Sequence, residues 1–256
     1  MSTFVLVHGA WQGASTWDLV VRRLQNAGHH VFTPVLTGLG DDWRRLSSAV
    51  NLETHINDVA ATLVSEKLED VTLVGHSYAG MVITGVADRQ HKRLSRLVYL
   101  DAFVPGDGES ALDLLPEDLR NSFREQAQAV GEGWRLPRSE SLLDLWGLPP
   151  SLAREYVRAR LCDFSLPCFD QKLQFRSKAA ATIDRKYIAA VAENYPARAV
   201  FQRFADKARR EGWLYEELPT GHICQVEAPD ALVSRLLAGW ESQLVSSPNR
   251  DIARVP

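Results

Sequence analysis

Short apolar runs rich in β-branched residues alternate with longer amphipathic stretches over most of the chain. The runs predict strands at residues 3–8, 30–35, 71–74, 97–100, 186–191 and 213–218. Helical spacing of apolar residues predicts helices at residues 15–27, 52–68, 198–211 and 229–244. Strands that alternate with helices imply right-handed crossovers. The pattern therefore predicts an α/β fold with a mostly parallel central sheet flanked by helices.

The alternation stops between residues 105 and 182. This segment is helix-prone, contains no strand-like run, and is interrupted by Pro116, Pro137, Pro149, Pro150 and Pro167. Its length and its aromatic content predict a helical cap inserted over a pocket. An irregular connection is the alternative. The α/β core would then comprise residues 1–104 and 183–256.

Composition excludes some classes of partner. The chain has 256 residues, a net charge of -3 and a sequence pI of about 6.2, so neither nucleic acid nor an anionic membrane is expected as a partner. Neither a signal peptide nor a membrane-spanning run is visible. Cysteines number three, an odd and sparse set that predicts a reducing cytoplasm, and no Cys/His spacing predicts a zinc site. No metal or other cofactor is expected, because the serine chemistry described below needs none.

The candidate chemistry centres on Ser77. A buried strand leads into Gly75 and His76, and Ala79 and Gly80 follow the serine at the start of an apolar helix. Strand, tight turn with a central serine, and helix are the context of a nucleophile elbow, where bulky neighbours would collide. The alternative is a strand-to-helix turn with an incidental serine.

Two further side chains are needed to activate a serine: a base, and a carboxylate that holds the base in the right tautomer. His222 follows the last strand and Gly221, and is the candidate base. The order serine, acid, histidine favours Glu193, just past the strand at residues 186–191, whereas Asp101, at the end of the strand after the elbow, is the alternative. The backbone N–H groups of Ala10 and Tyr78 are the candidate oxyanion hole.

Five motifs resemble the α/β-hydrolase subgroup of plant methylesterases and hydroxynitrile lyases with their bacterial esterase relatives. They are His8-Gly9-Ala10-Trp11, Leu36-Thr37-Gly38-Leu39-Gly40, Leu52-Glu53-Thr54-His55-Ile56, Gly75-His76-Ser77 and Leu100-Asp101-Ala102-Phe103-Val104-Pro105. The resemblance implies the α/β-hydrolase fold with a catalytic Ser, Asp and His. Ser77 and His222 match directly, while the acid falls at Glu193, a departure from the family's Asp.

The resemblance also separates esterases from lyases. The lyases carry a Thr after the first-loop His and a Lys after the catalytic His, where this chain has Gly9 and Ile223. We therefore expect a serine esterase that cleaves a methyl, small alkyl or aryl ester of a small apolar molecule through an acyl-enzyme. A C–C lyase, a lactone hydrolase and a non-catalytic binding protein are the alternatives.

Aromatic residues in the first loop and the cap are the candidates for contact with the substrate. Trp11, Trp134 and Trp146 are expected to line the pocket, although core packing is an alternative role for each. The predicted partner is a small-molecule ester. Family members are often dimers, so a homodimer is an expectation that rests on the resemblance.

Overall fold

The structure, a computed structural model, describes residues 1–177 and 179–240. Its strands are β1 (Thr3–Val7), β2 (His30–Phe32), β3 (Val71–His76), β4 (Leu94–Leu100), β5 (Arg135–Leu136), β6 (Phe164–Ser165), β7 (Asp184–Ala190) and β8 (Leu214–Leu218). Its α-helices are α1 (Asp18–Asn26), α2 (Leu52–Ser65), α3 (Ala79–Gln90), α4 (Glu117–Val130), α5 (Glu140–Leu145), α6 (Leu152–Arg158), α7 (Leu166–Asp170), α8 (Arg198–Arg210), α9 (Cys224–Glu227) and α10 (Pro229–Leu237). Short 3-10 helices occupy Ala14–Trp17, Gly40–Arg45, His91–Arg93 and Ala179–Thr182. Residues 241–244 of the predicted last helix lie outside the described residues.

The main sheet has the order β2-β1-β3-β4-β7-β8, and every pair in it is parallel. The prediction of a mostly parallel α/β sheet is therefore confirmed. β3 lies at the centre, and all six of its residues are buried because helices cover both faces. The carboxyl ends of β3, β4, β7 and β8 meet at one edge, where ligands bind in such sheets.

Helix α2 brings His55 beneath this edge. Its N-terminus is fixed by a capping box, in which the side chain of Asn51 accepts the Thr54 N–H and the side chain of Thr54 accepts the Asn51 N–H. His55 is fully buried and its Nε2 donates to the Thr37 carbonyl over 3.0 Å. The helix thereby ties the loop after β2 to the region of the elbow.

The segment predicted as a cap contains helices α4 to α7. The prediction that it lacks strands is wrong, because β5 and β6 pair antiparallel through Arg135, Leu136, Phe164 and Ser165. A two-residue strand is too short for alternation of polar and apolar residues to reveal it. The exact boundaries of core and cap stay a prediction.

In the described part of the chain, no helix is both long enough and apolar enough to span a bilayer. Cys162, Cys168 and Cys224 are all free and buried. The cytoplasmic location stays a prediction.

Candidate active site

Ser77 occupies a strained turn between β3 and α3. Its φ is +58°, in the left-handed region that non-glycine residues rarely adopt. The two flanking glycines allow this turn to pack: a Cβ on Gly75 would lie 2.7 Å from the Ala79 carbonyl oxygen, and one on Gly80 would lie 2.0 Å from the Phe103 carbonyl oxygen. The local geometry is therefore the nucleophile elbow that the sequence predicted.

Asp101 stands beside the elbow on the neighbouring strand. His76 pairs with Leu100 in the parallel register, so Ser77 and Asp101 are each the first residue after their strands. Asp101 also has a positive φ, +41°, and its N–H donates to the Ile188 carbonyl of β7 over 2.8 Å. The carboxylate therefore leaves the sheet at the same level as the serine.

His222, in the loop after β8, contacts Asp101 directly. Its Nδ1 lies 2.6 Å from Asp101 Oδ2, and each side chain is only 1% exposed. The imidazole packs against the ring of His76, at 4.6 Å between centroids, and against the ring of Phe201, at 4.8 Å and 25°. Because a carboxylate only accepts hydrogen bonds, the contact places the proton on Nδ1 and leaves Nε2 as the basic nitrogen.

The prediction that Glu193 pairs with this histidine is wrong. Glu193 is exposed, and no hydrogen bond or ion pair of its side chain is found among the described residues. The loop after β7 turns Tyr195 inward instead, and its hydroxyl lies 2.7 Å from Asp101 Oδ2. The alternative named from the sequence, Asp101, is the acid that the fold brings to His222.

Ser77 and His222 line one small cavity, of about 40 Å³. Apart from these two, its lining is apolar: Trp11, Phe103, Leu115, Leu119, Phe123, Leu142, Leu145, Trp146, Phe169, Ala197, Val200 and Phe201. Ligand pockets usually measure roughly 300–1,000 Å³, so a substrate must displace side chains of this lining to enter. Several lining residues belong to α4, α5 and α7, which therefore cover the serine.

Two of the three predicted aromatic contacts are placed at this cavity. Trp11 and Trp146 line it, and their rings lie 6.4 Å apart. Trp134 does not line it, which corrects the prediction: it precedes β5, and its carbonyl accepts the Leu166 N–H over 2.7 Å. Phe123 and Phe169 line the cavity instead, and helical spacing gave no signal to separate them from core residues.

The first loop approaches the elbow closely. A Cβ on Gly9 would lie 3.0 Å from Ser77 Cβ and 3.1 Å from His76 Nδ1. Ala10 follows and is buried, as is Tyr78 after the serine. Across residues 1–177 and 179–240, neither the Ala10 N–H nor the Tyr78 N–H has a protein acceptor.

Three other histidines near the site are buried and neutral. Burial lowers the pKa of both His8 and His55 to about 4. Burial, followed by the proximity of His222, holds the pKa of His76 well below its usual range, and His76 Nε2 donates to the His222 carbonyl over 2.8 Å. These imidazoles serve as hydrogen-bonding supports. No set of three His, Cys, Asp or Glu side chains that could hold a metal ion occurs in the described ranges.

A doubly wound parallel sheet with a strained serine, a buried Asp–His pair and a helical cover defines an α/β hydrolase. The model of the alpha/beta hydrolase family matches residues 4–235, and the chain belongs to this family. The fold class predicted from the sequence is confirmed.

The proteins most useful for comparison are esterases, lyases and hydrolases of the same fold. A carbendazim hydrolyzing esterase of Nocardioides sp. (strain SG-4G) is 37% identical over 244 residues, covering 93% of this chain and 99% of the esterase. An alpha-hydroxynitrile lyase of Arabidopsis thaliana is 36% identical over 130 residues, which are 50% of this chain and 48% of the lyase. Among solved structures, an extracellular alpha/beta-hydrolase from a Paenibacillus species superposes with a TM-score of 0.80 at 26% identity, covering 91% and 97% of the two chains.

These relatives confirm the resemblance that the motifs indicated. The chain is an esterase-like α/β hydrolase, and the prediction of a carboxylic ester hydrolase is confirmed at that level.

Proposed function

We propose that the chain is a serine esterase that cleaves a carboxylic ester of a small apolar molecule through an acyl-enzyme. The observation that carries the proposal is the buried His222–Asp101 contact of 2.6 Å, in a histidine that shares an apolar cavity with Ser77. A hydroxyl is a weak nucleophile at neutral pH, and an imidazole held by a carboxylate is the group that activates it.

In the proposed reaction, Ser77 Oγ attacks the ester carbonyl while its proton passes to His222 Nε2. Asp101 holds Nδ1–H throughout, which stabilises the imidazolium that forms. Collapse of the tetrahedral intermediate breaks the bond to the alcohol oxygen, which leaves with the proton from Nε2. Water then attacks the acyl-serine with His222 as base, and releases the acid and the free serine.

The negative charge on the carbonyl oxygen needs donors during both attacks. The N–H groups of Tyr78 and Ala10 are our candidates, because both are buried next to the elbow and have no protein acceptor in the described part of the chain. A buried N–H without a partner is costly unless a ligand satisfies it. Loss of one such donor typically lowers kcat about 10²–10³-fold.

The cavity supports a small apolar substrate. Apart from Ser77 and His222 its walls offer only aromatic and aliphatic side chains, so a charged acyl or alcohol group would lose hydration without compensation. Methyl, small alkyl and aryl esters fit this chemistry. Carbendazim belongs in the test panel because the relative with 37% identity is named for hydrolysing it.

The test compares Ser77→Ala with the wild type on p-nitrophenyl acetate, methyl and aryl esters, a lactone and carbendazim. We expect kcat/KM to fall about 10⁴–10⁶-fold, since removal of a serine nucleophile disables the whole unit. Ser234→Ala is the matched control, because Ser234 is exposed on α10 and bonds only to the Asp230 carbonyl of its own helix. Equal hydrolysis by the wild type and Ser77→Ala would refute the mechanism.

The alternatives are outcomes of the same panel. Turnover of the lactone alone would assign lactone hydrolysis, and a serine that an organophosphonate fails to label would assign a binding protein. A hydroxynitrile lyase is opposed by Gly9, where a side chain would crowd Ser77, and by Ile223, an apolar residue that is fully buried. We expect no cyanide release from mandelonitrile.

A further inference from the structure

The hydroxyl of Tyr195 meets the Asp101–His222 pair at its centre. It lies 2.7 Å from Asp101 Oδ2 and 2.9 Å from His222 Nδ1. The phenol ring stacks on the imidazole at 5.7 Å between centroids and 24° between planes, and it is buried. No other side chain of the described residues has hydrogen-bond contacts with both members of the pair.

The direction of these hydrogen bonds follows from the groups. The carboxylate of Asp101 only accepts, so the Tyr195 O–H donates to Oδ2. The Nδ1–H of His222 points at the same carboxylate oxygen and passes close to the phenol oxygen. Burial, followed by the negative charge of Asp101, holds the pKa of Tyr195 well above its usual range, so the hydroxyl keeps its proton to donate.

One short segment of the cap holds both loops in place. The Leu145 carbonyl accepts the Ala197 N–H at 3.2 Å, and the Gly147 carbonyl accepts the Asn194 side chain at 3.4 Å, which fixes the loop that carries Tyr195. The Trp146 carbonyl accepts the His222 N–H at 2.9 Å. The phenol and the imidazole are therefore fixed relative to each other by the end of α5.

We propose that Tyr195 is a positioning residue of this site: its hydroxyl holds the Asp101 carboxylate against His222 Nδ1 and draws charge from the oxygen that faces the imidazole. The inference rests on the proposed function. Since the acid comes from the end of β4, the loop after β7 contributes a neutral donor that orients the acid.

Removal of the hydroxyl has a predictable direction. Without the donor, the carboxylate oxygen carries more charge and can rotate, so it holds the protonated imidazole more strongly but orients it less well. For Tyr195→Phe we expect kcat to fall about tenfold with KM within about twofold. The lower limb of the pH profile of kcat/KM should move up by about half a pH unit.

Tyr187→Phe is the matched control. Tyr187 is also fully buried, and its hydroxyl bonds to Ala102, one residue beyond Asp101: it accepts the Ala102 N–H and contacts the Ala102 carbonyl, each over 3.1 Å, and lies 3.4 Å from the Phe201 carbonyl. Loss of these hydrogen bonds should lower stability at least as much and leave the limb of the pH profile in place. An equal shift in both variants, or none in Tyr195→Phe, would overturn the proposal.

A second variant covers the case in which Tyr195→Phe does not fold. Incorporation of 3-fluorotyrosine at position 195 keeps the shape and strengthens the donor, so the limb should move to lower pH. A shift upward, or none, would overturn the proposal.

The low-field proton resonance of His222 Nδ1–H gives a readout that does not depend on turnover. It should move in Tyr195→Phe and stay in Tyr187→Phe. If the wild type hydrolyses no ester, the proposed function fails, and this resonance alone decides the positioning role: movement supports it, and no movement overturns it.

Discussion

The carboxyl ends of β4 and β7 lie side by side in the sheet, and they make different contributions to the site. β4 ends at Leu100, and Asp101 follows at once, buried and in register with the elbow. β7 ends at Ala190 and continues into a loop that exposes Glu193 and buries Tyr195. The acid is therefore determined by its burial and by its register beside the serine, and not by its position in the chain order.

Burial at Asp101 is tolerated because several donors meet the carboxylate. Oδ1 accepts the Ala190 N–H at 3.3 Å, and Oδ2 accepts from Tyr195 at 2.7 Å and from His222 at 2.6 Å. A buried charge without such partners would cost several kcal/mol. Ala190 is the last residue of β7 and Tyr195 lies in the loop that follows, so two of the three donors come from the end of β7 and its loop, while the charge directly follows β4.

Substitution of each carboxylate tests which strand end supplies the acid. We expect Asp101→Asn to lower kcat about 10³–10⁴-fold, because an amide would favour the wrong imidazole tautomer. Glu193→Gln is the matched control and should stay within about twofold, since Glu193 is exposed and away from the pair. Steady-state kinetics with p-nitrophenyl acetate measure both. A larger loss of kcat in Glu193→Gln than in Asp101→Asn would instead identify Glu193, after β7, as the acid.

Part of the fold and part of the site could be predicted from the sequence. Apolar runs located the parallel strands because a strand covered on both faces must be apolar throughout, and the crowding of small residues located Ser77 because its turn is sterically tight. The order serine, acid, histidine led us to prefer Glu193, but Asp101 satisfies the same order, since it also follows a strand and precedes His222. A usable signal was present: Asp101 is the first residue after its strand, as Ser77 is after its own.

Other features of the site depend on tertiary packing and had no local signal. Tyr195 lies in a loop beside Pro196, and nothing in that pattern distinguishes a buried phenol from an exposed one. Trp134 and Trp146 both lie in the cap at comparable intervals from apolar neighbours, yet of these two only Trp146 lines the cavity. Which aromatic residue faces a cavity is decided by the angles at which the cap helices pack.

Buried histidines limit the pH range in which the protein is folded and its variants can be compared. His8 and His55 are neutral in the folded state, where burial lowers their pKa to about 4, against about 6.5 when unfolded. Between these values the unfolded chain binds more protons, so stability falls as the pH falls. We expect a loss of about 2 kcal/mol for each imidazole between about pH 7 and pH 5.

Urea unfolding at several pH values measures this loss. Carboxylates whose pKa is lowered by folding, such as Glu53 and Asp113, contribute mainly below about pH 4.5, whereas Glu227, whose pKa is raised by burial, offsets part of the loss above that pH. A free energy of unfolding that stays flat from about pH 7 to pH 5 would contradict the neutral buried state. Activity profiles of the strand-end variants should be interpreted only where the protein remains folded.

The smallest effect we predict tests whether the cap fixes the β7 end. Gly147 and Gly212 both end a helix with a positive φ, +73° and +71°. A Cβ on Gly147 would lie 2.8 Å from the Asn194 carbonyl oxygen and 2.9 Å from Tyr195 Cα, whereas one on Gly212 meets nothing within 4 Å. Each alanine should cost about 1 kcal/mol of unfolding free energy from backbone strain, and Gly147→Ala about 1–2 kcal/mol more because the loop must shift.

The same shift should move the Tyr195 hydroxyl away from Asp101. We therefore expect Gly147→Ala to lower kcat several-fold and Gly212→Ala to leave it unchanged, measured under conditions in which both variants are folded. Equal stability and equal kcat in the two variants would mean that the end of α5 does not hold the loop. The position of the loop after β7 would then depend on the hydrogen bond from Tyr195 to Asp101. In that case the Asp101 carboxylate would hold Tyr195 in place, which is the reverse of the role that we propose for Tyr195.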